Sequence, residues 1–229
     1  MTRGQEPAPG GSGPGDTGAG EEPEGWTGPR LRDVDEQWEV VGDPSYLRGV
    51  LVTLRTDRVQ MPDRTYAERT VVTHPGAVAV LALDDTRRVL MIRQYRHPVE
   101  RLLWEIPAGL RDADGEPPLR TAQRELLEET GYRAREWHTL VDYFTSPGIS
   151  SERIRIFLAR GIEPAGEVAH EREHEEKFIV ADWVPLDDAV HLAMAGKFHN
   201  GPAITGVLAG YAACSGGFSE LRPATAPET

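Results

Sequence analysis

Residues 109–131 read GLRDADGEPPLRTAQRELLEETG, and the second half of this stretch has the marks of a helix. Pro117 and Pro118 fit only before a helix or in its first turn, where their missing N–H groups cost nothing. Gly131 can take the left-handed conformation that ends many helices. We therefore predict a helix over residues 120–130.

The predicted helix has a polar side and an apolar side. At about 100° per residue, one arc holds Thr121, Arg124, Glu125, Glu128 and Glu129. The complementary side holds Leu119, Ala122, Leu126, Leu127 and Thr130. Carboxylates one helical turn apart repel each other by a few tenths of a kcal/mol, roughly, in an exposed helix. The glutamates are therefore either a well-solvated surface or the ligands of a divalent cation.

Composition excludes several classes of protein. The chain has 229 residues, 39% of them hydrophobic, which supports a real core. Its net charge of −12 argues against a nucleic-acid surface. An anionic substrate would be repelled by this charge, so its site needs metal ions or arginines to invert the local sign. The single cysteine, Cys214, fits a reducing compartment and is expected in the core. Without an apolar run or a secretory signal, the expected location is the cytoplasm.

The chain divides into four segments by composition and by the pattern of its apolar residues. Residues 1–32 are rich in Gly and Pro and are expected to be a disordered tail. Residues 33–74 contain short β-rich runs that predict a small antiparallel domain of three strands. Residues 75–217 hold the remaining strands and helices, and residues 218–229 are expected to be a flexible tail. The apolar runs 76–83 and 89–95, joined by DDTR, are predicted to form a buried hairpin. The fold class is α+β, with a mixed sheet between a few helices.

The spacing of charged residues in the stretch resembles the Nudix box. Glu116 is followed after seven residues by Arg124-Glu125-Leu126, then by Glu128-Glu129 and Gly131-Tyr132. One departure is present, because six residues rather than five separate Gly109 from Glu116. With the RQYRH and LWEIPAG runs that precede the box, the resemblance extends over residues 38–217.

This resemblance implies a Nudix α/β/α sandwich and the hydrolysis of a nucleoside diphosphate linked to another group. Within the family the chain is most similar to actinobacterial ADP-ribose pyrophosphatases, which produce AMP and ribose 5-phosphate. Three features carry this closer resemblance: the small N-terminal β domain, Pro147 fifteen residues past Tyr132, and the acidic loop HEREHEEK. It also implies a homodimer with exchanged N-terminal domains.

The resemblance assigns roles to particular residues. Glu125 and Glu129, with the backbone carbonyl of Ala108 and a contribution from Glu128, are expected to hold Mg²⁺, for which Mn²⁺ is a substitute. Hard Mg²⁺ prefers such oxygen ligands. Arg124 is expected to pair with a glutamate rather than with substrate.

The general base is expected in the acidic loop HEREHEEK. Glu176 is the first choice there and Glu175 the second, followed by Glu173, and Glu171 is also available. The resemblance further implies substrate contacts. These are Arg69 in the N-terminal sheet, Arg96 in RQYR, the backbone of Leu110, and Glu152 after SPGISS.

Other readings of the same residues stay open. The enzyme could act on another nucleoside diphosphate derivative, such as a nucleotide sugar, NADH or a dinucleotide polyphosphate. The domain could also be a non-catalytic ligand sensor, although the box keeps every carboxylate. A zinc site built from His97, His170 and His174 is disfavoured, because their spacing matches no common site.

Overall fold

The computed structural model describes residues 37–49, 52–166 and 177–228. Its regular elements are β1 Ser45–Arg48, β2 Thr53–Gln60, β3 Tyr66–Thr73, β4 Ala77–Ala82, β5 Arg88–Arg96, β6 Arg101–Glu105, β7 Ala108–Leu110, α1 Pro118–Thr130, β8 Tyr132–Phe144, β9 Arg153–Pro164, β10 Val180–Pro185, α2 Leu186–Met194, α3 Gly201–Ser215 and β11 Arg222–Pro223. A short 3₁₀ turn, His97–Val99, joins β5 to β6. Within this part of the chain, no helix is long and apolar enough to cross a membrane.

A five-stranded mixed sheet forms the centre of the fold, with strand order β11-β8-β9-β4-β7. Strands β4 and β9 are parallel, and the other neighbours are antiparallel. All six residues of β4 are buried, which is the pattern of a strand covered on both faces. Val78 and Val80 pack with α1, whereas Ala79 and Leu81 pack on the side of α2 and α3. The α+β class and the α/β/α sandwich with a mixed sheet are confirmed.

Strands β4 and β5 do not form the predicted hairpin. Only one isolated bridge, Leu83 to Val89, joins their ends. Strand β4 continues in the central sheet, whereas β5 pairs with β6 and β10 in a second sheet of order β10-β5-β6. The hairpin prediction was wrong because both runs are apolar throughout. Such runs predict burial but carry no information about which strand is the neighbour.

The N-terminal strands form the predicted antiparallel sheet of order β1-β2-β3. The end of β3 is tied to the turn between β8 and β9. The Val72 N–H donates to the Ile149 carbonyl at 2.8 Å, and the Ser151 N–H donates to the Val72 carbonyl at 3.0 Å. The described residues from Glu39 onwards belong to one compact unit. The division of the chain at residue 74 into two domains stays a prediction.

The segment after α3, expected to be a flexible tail, makes specific contacts with the central sheet. Strand β11 pairs with β8, and the Thr139 hydroxyl donates to the Pro223 carbonyl at 3.1 Å. Further along, Arg155 donates to the carbonyls of Ala226 and Pro227 at 2.7 and 3.0 Å. Arg155 itself is 3% exposed and forms a bidentate pair with Asp142. Residues 222–227 therefore run across the sheet as a strap, fastened to β8 and β9.

Candidate active site

Helix α1 carries the box carboxylates, and its ends agree with the prediction from Pro and Gly. It spans Pro118–Thr130, starting after Pro117 in an extended conformation. Gly131 follows at φ 74°, and its N–H donates to the Leu127 carbonyl at 2.8 Å. A left-handed residue at this position is favourable for glycine because it has no Cβ.

The face that α1 buries determines which glutamate reaches the sheet. Ala122 and Leu126 are fully buried against the sheet residues of the same cluster, which include Val78 and Phe157. Glu129 lies one turn beyond Leu126 on the adjoining side and is also buried, at 6% exposure. The polar arc of the helix therefore begins inside the protein rather than at its surface.

Glu129 is held by the backbone of β7. The Ala108 N–H donates to its Oε2 at 2.9 Å. Burial raises the pKa of Glu129 to about 8, because the charged form loses its hydration; the Ala108 hydrogen bond opposes this shift and the nearby Glu125 carboxylate adds to it. In the metal-free protein at pH 7 this carboxyl group is therefore largely protonated. A divalent cation would supply the positive charge that the ionised form lacks.

Glu125 lies against the backbone of Gly109, the next residue of β7. A Cβ placed on Gly109 would overlap the Glu125 carboxyl group and would lie 2.5 Å from its Cγ. Only glycine leaves room for the side chain in this position. Because Glu125 and Glu129 are one helical turn apart, both meet β7, at Gly109 and Ala108 respectively.

Arg124 connects the remaining carboxylates, which confirms that it pairs with glutamates. Its Nη1 donates to Glu125 Oε1 at 2.8 Å and to Glu128 Oε2 at 3.0 Å, and its Nη2 donates to Glu116 Oε2 at 3.3 Å. Burial alone would lower the Arg124 pKa, but these carboxylates raise it. The guanidinium therefore stays charged and offsets the repulsion that the glutamate spacing creates.

Glu116 also receives a hydrogen bond from the Thr121 hydroxyl, at 3.0 Å. Its bonds to Arg124 and Thr121 lower the Glu116 pKa. The extra residue between Gly109 and Glu116 thus leaves Glu116 in contact with the helix, where it helps to hold Arg124. Its contacts place it beside the guanidinium rather than beside β7.

The donor set fits a hard divalent cation. Glu125 and Glu129 offer carboxylate oxygens beside the Gly109 and Ala108 backbone, and Mg²⁺ takes few protein oxygens and keeps several waters. Among the described residues, no three Asp, Glu, His or Cys side chains are gathered closely enough to hold a metal ion. This agrees with Arg124 engaging Glu125 and Glu128 in the metal-free protein. Binding would therefore involve a rearrangement of these side chains.

Sequence reasoning missed Glu105, which lies at the end of β6. It is 2% exposed and accepts two hydrogen bonds from Arg96, from Nε at 2.9 Å and from Nη2 at 2.6 Å. Both residues are close enough to influence Glu129: Arg96 lowers its pKa and Glu105 raises it. Arg96 therefore lies near enough to Glu129 to affect its charge, and the expected contact of Arg96 with the diphosphate stays a prediction. The signal available in the sequence was a charged residue, Glu105, inside the apolar run LLWEI.

The other expected substrate residues lie at different distances from the box. Leu110 ends β7, directly after Gly109, and pairs with Ala77. Glu152 accepts a hydrogen bond from the Thr145 hydroxyl at 2.6 Å, and its other oxygen lies 3.7 Å from His74 Nε2. It therefore stands where β3 meets the turn before β9.

Arg69 and the loop glutamates are not brought to the box by any described contact. Arg69 is exposed on β3, where its Nη1 donates to the Glu68 carbonyl at 2.9 Å. Glu175 and Glu176, with Glu171 and Glu173, lie outside the described residues. The same holds for His170 and His174 of the disfavoured zinc site. Cys214 packs beside the core cluster of α2 and α3, as expected.

Comparisons with known proteins agree with this geometry. The chain is 42% identical over 190 residues to the ADP-ribose pyrophosphatase of Mycobacterium tuberculosis, covering 83% of this chain and 90% of that protein. It is 41% identical over 171 residues to the ADP-ribose pyrophosphatase of Bacillus subtilis, covering 74% and 89%. The fold matches the crystal structure of an ADP compounds hydrolase with a TM-score of 0.64 at 21% identity, covering 78% of this chain and 98% of that one. Residues 73–204 match the NUDIX domain, and they contain α1 and both carboxylates at β7. The chain belongs to the Nudix family.

Proposed function

We propose that this protein hydrolyses the diphosphate bond of ADP-ribose to AMP and ribose 5-phosphate. The observation that carries the proposal is the placement of Glu125 and Glu129 against the Gly109 and Ala108 backbone, on the edge strand β7 of the central sheet. Two relatives that are more than 40% identical over most of their length are ADP-ribose pyrophosphatases, which supports this choice of substrate.

Nudix hydrolases generally need a divalent metal ion, and we propose Mg²⁺, with Mn²⁺ as a substitute. Glu125, Glu129 and the Ala108 backbone carbonyl would hold it, with Glu128 contributing once Arg124 releases it. When bound, the ion neutralises phosphate charge and activates water. The protein residues supply the rest: Ala108 N–H orients the Glu129 carboxylate, Gly109 leaves space for Glu125, and Arg124 balances the charge of the glutamates.

Substrate binding is proposed to involve residues on both sides of the box. Arg96 would meet the diphosphate, which its position beside Glu105 and Glu129 supports. Leu110 would contribute its backbone, Glu152 would meet the terminal ribose, and Arg69 would act on the adenosine side.

Glu176, or Glu175 next to it, is proposed as the general base. Both precede β10 in the sequence and lie outside the described residues. We also propose a cytoplasmic homodimer with exchanged N-terminal domains. The exposed apolar residues Tyr46, Leu47 and Tyr66 on the N-terminal sheet support such an association.

The test is the release of AMP from ADP-ribose, measured against GDP-mannose, NADH and a diadenosine polyphosphate with Mg²⁺ present. We expect ADP-ribose to have the highest kcat/KM of the panel. Glu129→Gln should abolish most of the activity, whereas Glu136→Gln, which changes an exposed glutamate of β8, should not. A higher kcat/KM for another substrate would overturn the substrate assignment. Thermal stabilisation by ADP-ribose without turnover in Mg²⁺ or Mn²⁺ would instead indicate a ligand sensor.

A further inference from the structure

A concave site lies on the side of α1 that faces away from Glu125 and Glu129. It is a groove of about 450 Å³ between α1 and the start of β8, and we call it the arginine groove. Its arginines are Arg120, Arg124 and Arg133. Leu127, which lines it, lies roughly 160° around the helix from Glu129 at 100° per residue. The groove and the pair Glu125–Glu129 are therefore separate sites on one helix.

The lining of the arginine groove holds more positive than negative side chains, although Arg124 also pairs with Glu125 and Glu128 outside the groove. Three guanidinium groups line it, against one carboxylate, Glu116, in a chain with a net charge of −12. Arg120 donates to the neutral Gln123 at 3.1 Å. Arg133 is directly opposite Glu163 in the sheet, yet the Glu163 carboxylate lies 3.9 Å from Arg135 instead. Among the described residues, neither Arg120 nor Arg133 forms an ion pair with a carboxylate within 4 Å, although the charge of Arg120 helps to lower the pKa of the nearby Glu116. Guanidinium groups in such a state are suited to bind phosphate.

One wall of the groove is apolar and rigid. Trp137 and Leu127 form it. The Trp137 indole is fixed, because its Nε1–H donates to the Ala134 carbonyl at 3.1 Å and its ring meets Phe157 edge-on at 6.3 Å. A fixed aromatic ring beside guanidinium groups favours a ligand that has both a flat ring and a negative charge. The volume of the groove accommodates one nucleotide.

We propose that the arginine groove binds a nucleoside monophosphate, with the phosphate on Arg120 and Arg133 and the base against Trp137. This site lies apart from the proposed metal ligands Glu125 and Glu129, although it shares Glu116 and Arg124 with the box.

The test is calorimetric titration of the full chain in EDTA, where no divalent metal is available to the box. AMP, inorganic phosphate and adenosine are the probes. We expect AMP to bind at one site and each of the other two to bind at least about ten-fold more weakly, because each lacks one half of the recognition. Arg120→Ala and Arg133→Ala should each weaken AMP binding about ten-fold, the usual effect of losing a hydrogen bond to a charged group.

The control is Arg135→Ala, which removes an exposed arginine of the same strand that does not line the groove. It should leave AMP affinity unchanged, and so should Glu129→Gln. The proposal is overturned if wild-type protein does not bind AMP in EDTA, or if Arg120→Ala and Arg133→Ala bind it like wild type. Loss of AMP binding in Glu129→Gln alone would place the nucleotide at the box. Equal affinity for phosphate and AMP would reduce the groove to an anion site without base recognition.

Discussion

Replacing Gly109 with alanine tests the contact between β7 and the metal-binding side chain. A Cβ at this position would lie 2.5 Å from the Glu125 Cγ. Non-bonded carbon atoms are most favourable at about 3.5–4.0 Å, so Glu125 must move by about 1 Å or more. A displacement of about 1 Å in a catalytic constellation can cost about 10²-fold in rate, which corresponds to about 2.7 kcal/mol of activation free energy. Because Gly109 does not have a positive φ, the backbone itself accepts alanine.

The assay for Gly109→Ala is kcat/KM for ADP-ribose over a range of Mg²⁺ concentrations. We expect kcat/KM to fall about 10²-fold and the Mg²⁺ concentration at half-maximal activity to rise. The melting temperature should change little, since the group that must move is the end of a flexible side chain. The control is Gly216→Ala at the end of α3, where a Cβ meets nothing closer than 3.7 Å. Activity within a few-fold of wild type at unchanged Mg²⁺ dependence would refute the assignment of Glu125 as a ligand.

Three further predictions concern buried groups. In EDTA, Glu129 should make the free energy of unfolding fall as pH rises from 4.5 towards about 8, because the folded protein keeps a proton that the unfolded chain releases. Denaturation at several pH values should show this slope, up to about 1.4 kcal/mol per pH unit, and Glu129→Gln should remove it. Arg155→Met should cost up to about 3–5 kcal/mol in urea denaturation, since it leaves the buried Asp142 carboxylate with Arg222 as its remaining charged partner. Gly210→Ala should cost about 1–3 kcal/mol in the same assay, because its Cβ would overlap the fully buried Leu81 side chain, and the gain in helix propensity is smaller.

Each of these predictions has a matched comparison. Glu136→Gln replaces an exposed glutamate and should keep the wild-type dependence of the unfolding free energy on pH. If Glu136→Gln reduced this dependence as much as Glu129→Gln, Glu129 would not be its source. Burial raises the Asp142 pKa, but Arg155 outweighs this and the pKa is lowered, so the pair stabilises the fold above the unfolded-state pKa and less as pH falls through the folded value. The difference in unfolding free energy between Arg155→Met and wild type should therefore shrink in acid. If Gly210→Ala were as stable as the control Gly216→Ala, α3 would not approach Leu81 closely.

The sequence predicted the local features of this protein well, because their causes are local. Pro118 and Gly131 determine where α1 begins and ends, and Asn200 accepts a hydrogen bond from the Ala203 N–H at 2.9 Å at the start of α3, as a capping residue should. The partners of strands β4 and β5 could not be predicted, since apolar runs of equal character pair in several ways. The strap over the sheet could not be predicted either, because its contacts join residues that are far apart in the sequence. Its anchor, Arg155, lies about 70 residues earlier in the chain, and nothing near Ala226 indicates it.

The burial of Glu129 also could not be predicted from the sequence, and it changes the role of the box carboxylates. An amphipathic pattern places Glu129 on a polar face, but the approach of β7 buries it and gives it the Ala108 N–H. A buried carboxyl group with a raised pKa binds a proton until a cation replaces it, so metal binding near neutral pH should release protons. On the outer side of the site, the Arg124 guanidinium plays the part of the proton. It neutralises Glu125 and Glu128 until the metal ion competes for them. In both places a single positive charge occupies the site before the metal does. This explains how a chain of net charge −12 keeps three carboxylates together on one helix without unfolding it.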